Sequence, residues 1–190
     1  MDNLNCFFSS YSTPDDIVPV PDLLKGKDKR ADTAARIAVL AASNMLQEKP
    51  NIDLTSLNVV VINREGCKSH INKVSNGIKN HQPAQGFFVR GGPQTLATYT
   101  ALALDSHGAA FTFVGDKNIL SDAITTAFYL ANNIDNGATL ITVVVKNHGP
   151  GYQANSALIL GKSGHLEGVS SLEEKTLHNH LSQAFELDAN

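Results

Sequence analysis

The stretch from Gly108 to Asn118 reads as an apolar strand running into a sharp turn and then into a helix from about Ile119. A strand–turn–helix junction presents its turn residue at the positive end of a helix, which is where acyl-transfer enzymes place a nucleophile. The turn here holds Gly115, Asp116, Lys117 and Asn118, with no Cys or Ser among them. A cationic Lys at a helix N-terminus cannot replace a thiolate in thioester exchange. The segment therefore has the shape of a nucleophile elbow without the nucleophile. Taken alone, these residues have a plainer and commoner reading: Asp116 or Asn118 is a helix N-cap, Gly115 allows the turn, and Lys117 is a solvated side chain.

Cys67 follows a strand-like run and opens a predicted helix, with His70 three residues on, so a Cys/His pair on one helical turn is a second arrangement with chemical capacity. A lone cysteine acting as a small hydrophobe is much commoner, and no third residue that would orient the pair can be named. His70, His81, His107, His148, His165, His178 and His180 fall into no metal-ligand spacing. Gly91-Gly92-Pro93 lacks the spacing of a dinucleotide loop, and Gly161-Lys162-Ser163-Gly164 lacks the earlier glycine of a P-loop; both read as turns. No metal and no cofactor is expected. Lys25, Lys27, Lys29 and Arg30 form a basic cluster that reads as a solvated loop or as a docking patch for an acidic protein.

The elements that would hold these residues come from a chain of 190 residues, 42% hydrophobic, which suits one packed domain over 1–190. A net charge of −3 and a pI near 6.1 argue against nucleic acid and anionic membrane as partners. Cys6 and Cys67 form neither a disulfide framework nor a zinc pattern, which fits a reducing cytoplasm. The opening residues have no basic region followed by an apolar run, and no later stretch is apolar enough to span a bilayer, so a soluble, unexported protein is expected.

Strand-like runs occur at Leu4–Phe8, Leu57–Ile62, Phe111–Val114, Leu140–Val145 and Ala157–Leu160. The three central runs are nearly continuous in apolar residues, as in a sheet covered on both faces. Helical spacing joins Ala34, Ile37, Ala38, Ala41 and Met45, then Leu96, Tyr99 and Ala103, then Ile119, Ala123, Ala127 and Leu130. The alternation predicts an α/β fold with a mixed five-stranded sheet covered by helices. Residues 14–29 read as a solvated connection into a helix beginning near Ala31. His148–Tyr152 reads as a tight reversal whose second strand closes the sheet antiparallel. Ser170 and Ser171 stand three residues before Glu173 and Glu174, a capping pattern for a C-terminal helix at about 171–186.

In their order, these segments resemble the N-terminal half of a β-ketoacyl synthase of the thiolase-like superfamily. The similar stretches are the helix Asp32–Ala42, the strand Leu57–Ile62, the segment Phe87–Ala97, and above all Ala101–Gly108 leading into Phe111–Lys117. The order covers roughly residues 1 to 164. By this resemblance the fold is one thiolase-like half, the family's nucleophilic cysteine falls at Lys117 within one residue, and the family's Gly-Pro is Gly108-Ala109. The family's two catalytic histidines belong to a C-terminal half outside this chain, so no independent condensation is expected.

The resemblance further implies an oligomer, with itself or with a ketosynthase-like chain, through the strand Phe111, Thr112, Phe113 and Val114. It makes Lys25, Lys27, Lys29 and Arg30 the docking patch for an acyl carrier protein. Chain-length factors, the cysteine-free partners of ketosynthases, suggest the role: a non-catalytic accessory subunit in polyketide or fatty-acid-type biosynthesis. Two other functions stay open on the residues alone, a small α/β enzyme using Cys67 and His70, and a self-associating scaffold.

Overall fold

The protein is described by a computed structural model at residues 6–14, 22–24, 31–47, 52–83, 86, 91–133, 137–147, 150–161 and 171–186. Its layering follows from one strand, β2 (Asn58–Asn63), which is buried at every residue. Successive side chains of a strand point to opposite faces. Val59 and Val61 accordingly join a core with Ala34, Ile37, Ala38, Leu96 and Ala97. Val60 and Ile62 join another with Leu120, Ile124, Leu177 and Leu181. The first face is covered by α1 (Thr33–Gln47) and α3 (Thr95–Leu104), and the second by α4 (Leu120–Asn132) and α5 (Ser171–Glu186). Between β2 and α3 lies α2 (Lys68–Lys79), of which His70 and Gly77 are buried.

The sheet order is β1-β5-β4-β2-β3, with β1 at Cys6–Thr13, β3 at Ala110–Val114, β4 at Ala138–Lys146 and β5 at Tyr152–Leu160. β3 and β4 both run parallel to β2, because a helix crosses over before each of them. β4 and β5 form an antiparallel hairpin, and β1 adds antiparallel to β5. The mixed five-stranded α/β sheet is thus as expected, but β5 is an interior strand and β1 closes that edge. β1 also reaches beyond the apolar run that announced it, through Ser9, Ser10, Ser12 and Thr13, whose mixed exposure suits an edge. β5 begins at Tyr152 instead of Ala157, because its polar residues are hydrogen-bonded in the interior. Gln153 donates to Asn155 Oδ1 (3.1 Å), Asn155 Nδ2 donates to the His180 carbonyl (2.7 Å), and the Thr142 and Ser156 hydroxyls meet at 2.9 Å.

α1 starts at Thr33, two residues after the predicted start, because Asp32 caps it by accepting the Ala34 N–H at 2.9 Å. Its buried alanines, Ala34, Ala35, Ala38, Ala41 and Ala42, let it lie close on the sheet. Two glycines mark places where the backbone passes too close for a side chain. A Cβ on Gly108 would meet the Leu57 carbonyl at 2.3 Å, and one on Gly151 (φ +109°) would meet the Thr13 carbonyl at 2.2 Å.

Buried asparagines stand at both ends of β2. Asn58 Oδ1 accepts the Ala109 N–H at 3.0 Å while its Nδ2 donates to the Ala138 carbonyl at 3.3 Å, so one side chain ties the entries of β3 and β4 to β2. At the other end Asn63 Nδ2 donates to the Val144 carbonyl at 2.7 Å and its Oδ1 accepts the Glu65 N–H at 2.9 Å. Asn58→Ala strands the polar groups of two chain entries, and is expected to lower the unfolding free energy by about 2 kcal/mol in urea titration.

α5 is pinned to the sheet by His180, whose Nε2 lies 3.2 Å from both the Ser9 and Ser156 carbonyls and whose ring meets Phe8 at 4.8 Å between centroids. Burial lowers the pKa of this imidazole from its usual 6.5, against the opposite pull of the two carbonyls. The unfolded chain therefore takes up the proton first as pH falls. The stability contributed by the neutral ring is present above the unfolded pKa and lost as pH drops through the folded one. Between pH 7.5 and 5.5 the native protein should lose more unfolding free energy than His180→Gln does; equal losses would remove His180 as the source.

Candidate functional site

The carboxyl ends of the parallel strands β2 and β3 carry the segment that the sequence marks as an elbow. β3 ends at Val114, Gly115 and Asp116 turn the chain, Lys117–Ile119 make one 3-10 turn, and α4 follows from Leu120. The strand–turn–helix shape is present, with the short 3-10 turn interposed where an α-helix was expected from Ile119. Asp116 stands at the N-cap position of the 3-10 turn, but its side chain makes no capping hydrogen bond there. Its carboxylate instead takes the Arg64 Nε at 2.6 Å, from the turn after β2. Asn118 lies exposed inside the 3-10 turn.

Lys117 is not simply solvated either. Its Nζ meets Glu186 Oε1 at 2.7 Å, in the last turn of α5, and the neighbouring Phe185 ring lies 5.5 Å beneath the Arg64 guanidinium. The C-terminal helix thus closes over the elbow through one ion pair and one cation–π contact. Both ion pairs are half exposed, so each contributes within about 1 kcal/mol, and their effect is on position more than on stability. Arg64 and Glu186 were not singled out in the sequence, and the Leu177, Leu181 and Phe185 spacing marked a helix face with nothing local to connect it with residue 64.

Cys67 and His70 lie at the start of α2, Cys67 in the N-cap position, and both are buried. Asp32 organises this corner: its Oδ2 accepts the Ser69 hydroxyl and the His70 N–H, the latter at 3.2 Å. Thr95 Oγ1 lies 2.7 Å from the Gly92 carbonyl and 3.0 Å from Cys67 Sγ, and the Cys67 thiol also reaches the Gly92 carbonyl at 3.6 Å. Burial pushes the Cys67 pKa up to about 11, against the opposite pull of the Thr95 hydroxyl and with a smaller push from the Asp32 charge. The group is a thiol at neutral pH, the reverse of what a nucleophile needs.

β3 lies at the edge of the sheet, paired with β2 alone among the described residues, in the register Val59↔Ala110 to Asn63↔Val114. Phe111 and Val114 are 45% and 43% exposed on it. Thr112 turns inward, its Oγ1 accepting the Ala97 N–H at 3.1 Å, and Phe113 packs on the core beneath α4. Lys25, Lys27, Lys29 and Arg30 lie outside the described residues, as do His148, His165 and the stretch 87–90. Among the described residues no group of three or more His, Cys, Asp and Glu could hold a metal ion, and no helix is long and apolar enough to cross a membrane.

No protein-family profile matches the chain, and no curated protein matches it in sequence. Solved structures do. The chain superposes on a ketosynthase in complex with its chain length factor from Xenorhabdus doucetiae with a TM-score of 0.60 at 12% identity, over 87% of this chain and 76% of that one. It superposes on the ishigamide ketosynthase/chain length factor with a TM-score of 0.54 at 15% identity, over 80% of this chain and 50% of that one. The fold these structures share with the chain is a mixed five-stranded sheet covered by helices.

At pH 8 the native protein should resist alkylation by iodoacetamide at Cys67, and gain it on unfolding in urea. Rapid labelling of the folded chain at that residue would show a reactive thiolate and restore the Cys67/His70 enzyme as a reading.

Proposed function

We propose that this chain is a non-catalytic, ketosynthase-like accessory subunit of the chain-length-factor kind, acting in polyketide or fatty-acid-type biosynthesis by associating with a ketosynthase-like chain. One observation carries the reading. On a fold shared with a ketosynthase and chain length factor complex, the strand–turn–helix junction suited to a nucleophile presents Gly115, Asp116, Lys117 and Asn118, with Asp116 and Lys117 held in ion pairs. Acyl transfer needs a thiolate or activated hydroxyl there, and neither residue type is present. The C-terminal helix occupies the approach instead.

The association surface in this reading is the edge of β3 that no other described strand covers. An edge strand offers unpaired backbone groups to another chain, and Phe111 and Val114 add apolar side chains to that invitation. The partner is a cytoplasmic chain with a matching edge. Lys25, Lys27, Lys29 and Arg30 would supply the basic face for an acidic acyl carrier protein, an attraction that salt screens. The buried, protonated Cys67 speaks against the small-enzyme alternative.

Phe111→Lys with Val114→Lys places two charges on the edge without entering the core. Tagged protein purified from its host is expected to bring down a ketosynthase-like chain in near-equal amount, and the double variant to lose it while keeping its circular dichroism spectrum. A homo-oligomer alone, abolished by the same substitutions, would favour a self-associating scaffold. A monomer with no partner would remove both readings.

A further inference from the structure

We propose that the last turn of α5 is a latch on the elbow: closed, it holds the turn after β3 and, through it, the edge strand itself; released, it lets that part of the chain open while the rest of the sheet stays folded. Such a device needs a segment of low stability and a closing contact weak enough to reverse. β3 is the segment. It is five residues long, pairs with β2 alone among the described residues, and has every residue exposed or half-buried, whereas all six residues of β2 are buried. Segments with few buried apolar contacts and exposed backbone bonds open well below the free energy of global unfolding. The turn that follows is of the same kind, with Asp116, Lys117 and Asn118 exposed. Its backbone is tied by the Gly115 N–H, which donates to the Asn63 carbonyl at 3.1 Å, and by the Ile119 N–H, which donates to the Asp116 carbonyl at 3.0 Å.

α5 supplies the closing contact. The helix is anchored elsewhere, by Leu177 and Leu181 in the core and by His180 on the Ser9 and Ser156 carbonyls. Its last turn reaches the elbow, where Glu186 meets Lys117 at 2.7 Å and the Phe185 ring lies 5.5 Å from the Arg64 guanidinium, whose Nε holds Asp116 at 2.6 Å. Asp116 and Lys117 are thus both tied to the end of α5, one through Arg64 and the other directly. Side chains as exposed as Lys117 (50%) and Glu186 (58%) form an ion pair that shifts a local equilibrium by at most about fivefold. That is enough to bias the elbow and too little to decide the fold. The other side of the turn Arg64–Gly66 borders a cleft of about 460 Å³ beneath α2, lined also by Asn63, Asn72, Lys146 and Tyr152, which leaves this turn room to move when the latch is open.

Under the accessory-subunit reading the latch sets how often the β3 edge is ready for a partner, but it does not rest on that reading, since the full chain is tested by itself. Native-state hydrogen exchange is followed by NMR under conditions where it reports the opening equilibrium. In Glu186→Gln, exchange at the Gly115 and Ile119 amides is expected to quicken by roughly two- to fivefold, with Val60, Ile141 and Val143 unchanged. Lys117→Met should do the same, and the double variant no more than either. Raising salt to about 1 M should reproduce the effect in the native chain and add nothing in Glu186→Gln, because the contact that salt screens is already gone. Unchanged exchange at Gly115 and Ile119 in Glu186→Gln would overturn the latch. So would a rise that spreads equally to Val60 and Ile141, which makes α5 a stabiliser of the whole fold, or a salt response at the elbow that survives in the variant.

Discussion

The burial of β2 on both faces is the constraint from which the rest of this structure follows. A strand with helices above and below has no solvent to satisfy polar groups at its ends, so those groups must be met from within. Asn58 and Asn63 do this, and each does it by reaching to a neighbouring strand or its entry. The same side chains that satisfy the backbone therefore set the relative positions of β2, β3 and β4. Every residue with chemical interest, from Arg64 and Cys67 to Asp116 and Lys146, stands within a few positions of one of these strand ends.

The carboxyl end of the sheet holds two regions of different character. At the carboxyl ends, the turn after β3 is held by Arg64 and by the last turn of α5, so the place suited to a nucleophile is bridged by ion pairs. A few ångströms of sequence away, the turn after β2 opens into the polar cleft beneath α2. Arg64 belongs to both, lining the cleft while its Nε holds Asp116. The two regions share a turn but differ in form: one is bridged by ion pairs, and the other is a cleft lined mostly by polar residues.

Sequence reading reached the fold where periodicity was strong. The apolar runs gave β2, β3 and β4 to within two residues at each end, and the alanine spacing gave α1 and α4. It failed where polar residues are buried. Gln153, Asn155 and Ser156 have no apolar signature, so the apolar run marks β5 only from Ala157, and the hydrogen bonds among Thr142, Ser156, Asn155 and the His180 carbonyl explain the burial of its first half. The run Leu4–Phe8 announces β1, but its second half, with Ser10 and Ser12 exposed, carries no apolar signal, and neither does its pairing with β5. At the elbow the shape was legible, but the partners were not: Asp116 pairs with residue 64 and Lys117 with residue 186, and charges on distant elements leave no local pattern. Cys67 with His70 shows the converse, a suggestive spacing whose burial removes its reactivity.

The position of β1 bears on how the chain reaches this structure during synthesis. Residues 6–13 pair with residues 152–159, so a strand made early finds its partner only after nearly all of the sheet has been made. At ordinary rates of translation that interval is on the order of ten seconds, far longer than the time in which a hairpin such as β4–β5 closes. The parallel core around β2 and the β4–β5 hairpin can assemble while β1 is still unplaced, leaving the outer side of β5 as a temporary open edge. The nascent chain thus passes through a state in which both margins of the sheet are unpaired, and the docking of β1 followed by the clamping of α5 through His180 brings that period of exposure to an end on one side.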